Sequence, residues 1–360
     1  MTTRIVQLGR IAAITLGFTG LSLTAGSGCS PGQRPAPGHV PDGSAEARLF
    51  SGSMKVEELC AGLRGEHGGL QGRLVRGGCL ENFTYVIAER DGSRVSPPSE
   101  LPRTVRGFHH LSGTEVELRV EKSTTDTCIK DARGRSIDTP PLYTVWAKTS
   151  DQGDYNLCNG SKYQAHEERC PNEAAALEGR AIAVPGYWDK NGRHVATVEG
   201  QSVVTLACIS GVAAKCVHWG YVPWATYPEG TGTKLAEHHE ACVIAARARF
   251  RDNDTSYTCG GTFVDIFDNV GIRQEDTGSR AANFAFEGAW GAKELVCLKR
   301  PRYERCERLM DEIESGKRCQ QDYDAGGTWP PGALLLTRSE PGKVAPRGKC
   351  PSTADLCTAP

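Results

Sequence analysis

The stretch GTEVELRVE, residues 113–121, decides the fold class of this chain. Its apolar residues Val116, Leu118 and Val120 alternate strictly with charged residues. Successive side chains of a β-strand point to opposite faces, so this alternation gives one apolar face and one charged face. A strand of that kind is typical of an antiparallel sheet with one side in water. The sequence therefore predicts antiparallel sheet here.

Neighbouring segments extend the sheet on both sides. Each is a short run of β-forming residues bounded by turn residues: GLQGRLVRG (69–77), NFTYVIAE (82–89) and LYTVWAKT (142–149). Asn191-Gly192 is the dipeptide that favours a two-residue hairpin turn. Residues 150–178 are predicted to form a loop that contains Cys158 and Cys170.

Two segments predict helices. In the first, residues 234–249, the spacing puts seven residues on one face, with Thr233 as the N-cap. These residues are Leu235, His238, His239, Cys242, Ala245, Ala246 and Arg249. The second follows Pro301 and is expected to end at Gly316. Its buried face is expected to hold Cys306, Leu309, Met310 and Ile313. The predicted fold class is α+β, with β-rich antiparallel sheets, two or three short helices and disulfide bonds.

Cys29 makes the number of cysteines odd, and setting it aside leaves an even number of the 15. It follows a basic and then apolar segment with the layout of a signal peptide. Cleavage before Cys29 resembles processing at the lipobox of bacterial lipoproteins, although Gly26 stands where a lipobox usually has Leu, Val or Ile. The alternative is ordinary cleavage after Ser27, which leaves a soluble protein. We expect lipid attachment at Cys29, and Ser30 resembles the residue that sorts lipoproteins to the outer membrane.

An even set of cysteines behind an export signal predicts an oxidising compartment and a framework of disulfides. The formal net charge is −1 without a block of like charge, so nucleic acid is not an expected partner. The predicted organisation has five parts. They are a signal peptide (1–28), a Pro-rich tether (29–45), a β-rich part (46–178), a second domain (179–299) and a Cys-rich helical extension (300–360).

The second domain resembles a known family. The segments that carry the likeness are ACISGVAAKCVHWGYVPW (207–224), HHEACVIAARARF (238–250), GGTFVDIFDNVGI (260–272) and FEGAW (286–290). From about Gly179 to Leu298 the chain resembles the ADYC domain, a family of secreted and lipoprotein-like bacterial chains with no established function. The resemblance implies a bacterial envelope setting and carries no catalytic residue onto this chain.

The chain departs from that family at its signature. Where relatives read Arg-Ala-Asp-Tyr-Cys, this chain has Arg-Ala-Arg-Phe-Arg at 247–251. Cys259 follows eight residues later, and we expect it to replace the missing cysteine by pairing with Cys208. Cys216 is expected to pair with Cys242, which lies on the buried face of the next predicted helix.

Three groups of residues are candidates for a site. Glu237-His238-His239-Glu240 with Cys242 suggests a metal or Cys-His cluster, but the spacing is not that of a zinc helix, and a packed helix is favoured. Asp265 with Asp268, or Glu287 with Asp189, offers a carboxylate pair, although acids near turns are usually solvated. Trp219, Tyr221 and Trp224 are a candidate sugar-binding surface, but aromatic residues beside two cysteines are more often core, and core packing is favoured. No metal or cofactor is predicted.

The sequence contains no motif of a known hydrolase, nucleotide-binding or redox class. We therefore expect an extracytoplasmic lipoprotein that acts as a binding or structural module at the outer membrane, with an envelope protein or a glycan as its partner. The alternative is a hydrolase whose site is assembled from residues distant in sequence. A deep polar pocket with a convergent acid or histidine would favour the hydrolase, and an exposed aromatic or flat face would favour binding.

Overall fold

The computed structural model describes part of the chain. The described residues are 63–65, 72–74, 84–89, 104–109, 115–126, 129–138, 140–149, 155–156, 158, 177–188, 194–198, 201–209, 211–228, 232–251, 257–258, 263–278, 281–303 and 306–341. None of the helices in these ranges is long and apolar enough to cross a membrane.

Ten strands form one antiparallel sheet, the large sheet. They are β1 (Leu63–Gly65), β2 (Gly72–Leu74), β3 (Thr84–Glu89), β4 (Thr104–His109), β5 (Glu115–Asp126), β8 (Pro141–Thr149), β9 (Tyr155–Asn156), β10 (Ala181–Pro185), β13 (Thr197–Val198) and β14 (Gln201–Cys208). The order across the sheet is β1-β4-β5-β8-β10-β14-β3-β2, with β9 paired to β8 and β13 paired to β14.

Four strands form a second antiparallel sheet, the C-terminal sheet. Its strands are β17 (Val264–Asp268), β18 (Ala285–Trp290), β19 (Leu295–Leu298) and β20 (Leu335–Ser339), in the order β17-β20-β18-β19. Three further strand pairs are β6 (Ile129–Lys130) with β7 (Ser136–Asp138), β11 (Tyr187–Trp188) with β12 (His194–Val195), and β15 (Thr226–Tyr227) with β16 (Thr233–Lys234). The pairing of β11 with β12 places antiparallel strands on both sides of the predicted Asn191-Gly192 turn, which itself lies outside the described residues.

The described residues contain three short helices. They are α1 (Val212–His218), α2 (Ala236–Ala246) and α3 (Leu309–Glu312), followed by a 3₁₀ turn at Ser315–Lys317. Helix α1 packs on β10 and β14, helix α2 packs on β17, β18 and β20, and the two helices contact each other. Both sheets therefore contribute to one main core, as Ile182, Val243 and Trp290 illustrate. The predicted α+β class, with antiparallel sheets, short helices and disulfides, is confirmed.

The first predicted helix is α2, and it is shorter than the predicted 234–249. Thr233 is not its N-cap, because Thr233 pairs with Tyr227 in the strand pair before the helix. Leu235 occupies the cap position, without a side-chain cap. Residues outside the predicted face, such as Val243 and Ile244, are also buried, because the helix lies between layers.

The second predicted helix is reduced to the single turn of α3. Cys306, Leu309 and Ile313 are buried as the spacing predicts. The backbone before and within α3 nevertheless makes mostly i to i+3 hydrogen bonds, from Cys306 to Tyr303 and from Met310 to Glu307. Such tight turns place the same side chains inward without an extended α-helix.

Three disulfides join described residues. The predicted bond between Cys216 and Cys242 is present, with a Cα separation of 5.8 Å, and it ties α1 to α2. The predicted bond between Cys208 and Cys259 is wrong, because Cys208 pairs with Cys158 at a Cα separation of 5.4 Å. Cys259 lies outside the described residues. The third bond joins Cys297 to Cys319.

Strand pairing explains why Cys208 meets Cys158. Cys208 ends β14 directly opposite Ala181 of β10. The side chain of Asn156 donates to the carbonyl of Gly179 at 3.1 Å, which holds the chain after β9 beside the start of β10. This contact brings Cys158 to the same end of β14.

The sheets do not follow the predicted domain boundaries. Strand β8, before residue 178, pairs with β10, after residue 179. Strand β20 belongs to the predicted C-terminal extension and lies between β17 and β18, which belong to the second domain.

The buried side chain of Arg302 connects helix α2 to the C-terminal sheet. The guanidinium of Arg302 forms a bidentate ion pair with Glu287 of β18, with N–O distances of 3.1 and 2.9 Å. It also donates to the carbonyls of Ala245 and Ala246, the last residues of α2, at 3.0 and 3.1 Å. The hydroxyl of Thr258 accepts a further hydrogen bond at 2.7 Å. All five N–H groups of Arg302 thus have acceptors.

The position of Glu287 follows from an irregularity in β18. The pairing of β18 with β20 shifts between Phe286 and Gly288, so Glu287 is the extra residue of a β-bulge. The bulge lets both Glu287 and Trp290 face the helices. Ser339 of β20 donates to the same carboxylate at 2.9 Å, so the ion pair also includes the central strand of the C-terminal sheet.

We predict that Arg302→Met lowers the free energy of unfolding by about 3–5 kcal/mol, because it leaves the Glu287 carboxylate buried without its cation. The double variant Arg302→Met/Glu287→Leu should recover much of this loss. The measurement is unfolding in guanidinium chloride without reductant. Lys317→Met, which removes the exposed pair with Glu294, is the control and should change stability by less than about 1 kcal/mol. Equal effects of the two single substitutions would contradict the role given to Arg302.

Candidate functional site

An open cleft of about 710 Å³ lies at the end of β17. One wall is the loop that follows this strand, residues 269–278, which we call the β17 loop. The other wall is residues 324–329, which we call the tail loop. The cleft lies at the edge of the C-terminal sheet, away from the large sheet's strands.

Asp268 fixes the shape of the β17 loop. Its Oδ1 accepts hydrogen bonds from the backbone N–H groups of Val270, Gly271 and Ile272, at 2.9, 2.6 and 3.1 Å. Its Oδ2 accepts from the N–H of Arg273 at 2.7 Å. Gly271 has a φ of +92°, a conformation that glycine adopts readily and other residues rarely adopt.

Tyr221, which follows α1, supports Asp268 from the core. Its hydroxyl donates to Oδ2 of Asp268 at 3.0 Å, and its side chain is fully buried. Burial raises the pKa of the Tyr221 phenol well above its ordinary value, and the negative charge of Asp268 raises it further. The phenol is therefore a permanent neutral donor to this carboxylate.

Arg338 of β20 holds the far half of the β17 loop. It pairs with Asp265 at 2.8 Å, pairs with Glu275, and donates to the backbone carbonyl of Asp276 at 2.7 Å. Burial raises the pKa of the Asp265 carboxyl above its ordinary value, and the hydrogen bond from Arg338 opposes that shift. Arg338 is thus shared by two carboxylates, of which Glu275 lines the cleft.

The tail loop is held by the same kinds of contact. Oδ1 of Asp324 accepts the N–H of Gly326 at 3.0 Å, and Glu275 accepts the N–H of Ala325 at 3.1 Å. The Trp329 ring packs edge-on against Phe267, with 6.1 Å between ring centroids. The cleft is therefore bounded by two loops with fixed backbones and one half-buried indole.

The three candidate aromatic residues pack mainly in the core. Tyr221 is fully buried beneath the β17 loop, as described above. Trp219 and Trp224 are half-buried and pack against the main core. The indole N–H of Trp224 donates to the carboxylate of Asp138. These contacts agree with core packing, the favoured interpretation.

The predicted histidine and cysteine cluster is part of the packed helix α2. Cys242 is in a disulfide and offers no thiolate. The His239 ring bonds to the carbonyl of Ala213 at 3.0 Å, and burial lowers the pKa of His239 to about 3. His238 is also buried, and burial lowers its pKa. Within the described ranges, no group of three His, Cys, Asp or Glu side chains is placed to hold a metal ion.

The candidate carboxylate pairs do not form among the described residues. Asp265 and Asp268 are three positions apart in β17 and so point to opposite faces of the strand. Asp265 meets Arg338 on one face, and Asp268 meets Tyr221 on the other. Glu287 is committed to Arg302. Asp189 lies outside the described residues.

The sequence analysis did not identify the cleft residues Gln274, Thr277, Gly326 and Trp329. A local signal for both loops exists, because each begins with Asp and has Gly three positions later, DNVG at 268–271 and DAGG at 324–327. An Asp side chain that bonds to following backbone N–H groups is a common turn device. Nothing local indicates that the two turns lie side by side.

We predict that Asp268→Ala opens the β17 loop, because four backbone N–H groups and the Tyr221 hydroxyl lose their acceptor. Hydrogen exchange at residues 270, 271, 272 and 273 should accelerate at least tenfold, and the free energy of unfolding should fall by about 3 kcal/mol or more. Tyr221→Phe removes one donor and should cost about 1 kcal/mol. Asp322→Ala, which removes an exposed partner of Lys299, is the control. Unchanged exchange in Asp268→Ala would contradict the prediction.

The signature segment lies at the end of α2 that Arg302 binds. Ala248 has a φ of +50° and ends the helix, with its side chain fully buried. Arg249, in the position of the signature Asp, donates to the carbonyl of Lys293 at 2.7 Å. Phe250, in the position of the signature Tyr, packs on Trp290 and Tyr257. The side chains at the signature positions therefore make contacts within the fold.

Comparison with known proteins identifies the family. The sequence profile of the ADYC domain matches residues 108–304, more than half of the chain. The matched region includes α1, α2, Arg302 and the β17 loop, whereas β20 and the tail loop lie beyond it. No curated protein and no solved structure matches the chain. The chain belongs to the ADYC domain family.

Proposed function

We propose that this chain is a lipid-anchored, disulfide-stabilised binding module of the bacterial outer membrane, and that its ligand binds in the cleft between the β17 loop and the tail loop. The lipid would be attached at Cys29, as the lipobox-like segment before it indicates. Three disulfides among the described residues agree with an oxidising compartment.

The main support for a binding role is that hydrogen bonds hold the backbone of both loops, while three of their side chains have no protein partner in the described part of the chain. Asp268, Asp324 and Arg338 hold the backbone of both walls. The exposed side chains of Asn269, Gln274 and Thr277 have no hydrogen-bond partner among the described residues. Loops fixed before binding lose little conformational entropy when a ligand arrives, so such a cleft favours recognition.

The same contacts argue against the alternative of a hydrolase. Acid-base catalysis needs a carboxylate or histidine that is free to exchange a proton with substrate. Both carboxylates that line the cleft already have partners. Asp268 accepts five hydrogen bonds, and Glu275 is paired with Arg338 and the N–H of Ala325. Binding therefore has the better support.

We predict that Cys29→Ser releases the protein from membranes. Loss of the acyl chains removes about 0.8 kcal/mol for each buried methylene group. The variant should appear in the soluble fraction after high-salt and carbonate washes, while the unaltered chain stays with the membrane. Retention of the variant through both washes would contradict the lipid anchor.

We predict that a large side chain at Gly326 prevents ligand binding. A Cβ at Gly326 would have only Oδ1 of Asp324 within 4 Å, at 3.8 Å, so Gly326→Phe fills the cleft without a backbone clash. Gly316→Phe is the matched control, because a Cβ there meets nothing within 4 Å and Gly316 does not line the cleft. The measurement is recovery of components from an envelope extract on the immobilised full chain, identified by mass spectrometry.

A component retained by the unaltered chain and by Gly316→Phe, and lost with Gly326→Phe, would support the proposal. If all three proteins retain the same components, the cleft is not the binding site. Melting temperatures of the three proteins, measured in parallel, identify any loss that comes from unfolding.

A further inference from the structure

We infer that the ligand of the cleft is a neutral oligosaccharide, an inference that rests on the proposed function and specifies its ligand class. The cleft combines two carboxylates that already have protein partners, neutral polar side chains without a protein partner among the described residues, and one indole. Each of these features excludes or favours a class of ligand.

Charge excludes strongly ionic ligands. Among the described residues that line the cleft, none is Lys, Arg or His, so an anionic ligand finds no cation there. The two lining carboxylates, Asp268 and Glu275, already bind protein donors. A cationic ligand would therefore compete with Arg338 and with the backbone of the β17 loop. A neutral ligand needs no cation in the cleft and does not compete with Arg338.

The uncommitted groups match sugar hydroxyls. Asn269, Gln274 and Thr277 are exposed, neutral and able both to donate and to accept hydrogen bonds. A hydroxyl group also donates and accepts, so each of these side chains can bond to a sugar without a net charge in the cleft.

The indole supplies the apolar part of the site. Trp329 lines the cleft and is half-buried, held edge-on by Phe267. A sugar ring has an apolar face of C–H groups surrounded by hydroxyls, and an aromatic ring with polar neighbours complements that arrangement. Trp is suited to such contacts because one large ring offers both apolar area and an N–H donor.

The size of the cleft favours a short chain of sugars over a folded protein. Its volume of about 710 Å³ is within the usual range of small-molecule sites, about 300–1,000 Å³. A protein partner normally covers about 800 Å² of flat surface on each side. The volume and the single aromatic group of the open cleft fit the smaller ligand.

The test is calorimetric titration of the full chain, purified in a detergent without a sugar headgroup. The neutral probes are chitotetraose, maltotetraose and cellotetraose. The charged probes are the de-N-acetylated form of chitotetraose, which is cationic, and tetragalacturonate, which is anionic. Gln274→Ala and Gly326→Phe are the site variants, and Gly316→Phe is the control.

We expect at least one neutral probe to bind more than tenfold more tightly than either charged probe. Gln274→Ala and Gly326→Phe should each weaken that binding at least tenfold, while Gly316→Phe leaves it unchanged. Gln274 is exposed and has no partner among the described residues, so its replacement does not disturb folding. Trp329→Ala should also weaken binding at least tenfold, and Trp329→Phe should weaken it less.

Tighter binding of a charged probe, no binding of any neutral probe, or neutral binding that Gly326→Phe leaves intact would overturn the inference. If the envelope extract still yields a component that Gly326→Phe loses, the proposed binding function survives and only the ligand class is wrong. If Gly326→Phe affects neither experiment, both proposals fail.

Discussion

The rest of the structure depends on the requirement that the buried guanidinium of Arg302 finds an acceptor for each of its five N–H groups. Two acceptors are the last two carbonyls of α2, two are the oxygens of Glu287, and one is the hydroxyl of Thr258. These groups come from a helix, a strand and a loop that are far apart in sequence. A buried charge without such partners lowers the stability of the fold. The contacts of Arg302 therefore hold helix α2 in one position relative to the C-terminal sheet.

That fixed position explains how the cleft arises. With α2 set against β18 and β20, the strand β17 ends beside α1, where Tyr221 meets Asp268. The β17 loop then folds around the Asp268 carboxylate, and Arg338 of β20 secures its second half. The family domain supplies this wall, while the tail loop beyond the family match supplies the other. The shared core therefore positions a site whose second wall belongs to this chain's own C-terminal segment.

Local patterns predicted strands β2, β3, β5 and β8 and the position of α2, because alternation and helical spacing depend only on neighbouring residues. The Cys216–Cys242 bond was also predictable, since both cysteines lie on buried positions of consecutive helices. The Cys208–Cys158 bond depends on the pairing of β10 with β14, which no local pattern specifies. The burial of Tyr221 was favoured from sequence, but its hydrogen bond to Asp268, 47 residues away, was not predicted. Trp329 was missed because a Pro- and Gly-rich tail gives no periodic signal of its packing against Phe267.

The tail segment is anchored at both ends, by the Cys297–Cys319 bond at its start and by β20 at its finish. The entropy of closing a loop with fixed ends changes only slowly with its length. Tyr323 packs on Phe286 and Trp329 packs on Phe267 of the C-terminal sheet. Residues 324–328 therefore lie between two aromatic side chains that are held against the sheet. Asp324 holds the backbone of this segment, so the four positions after it are the ones at which substitutions can change the cleft while the loop keeps its shape.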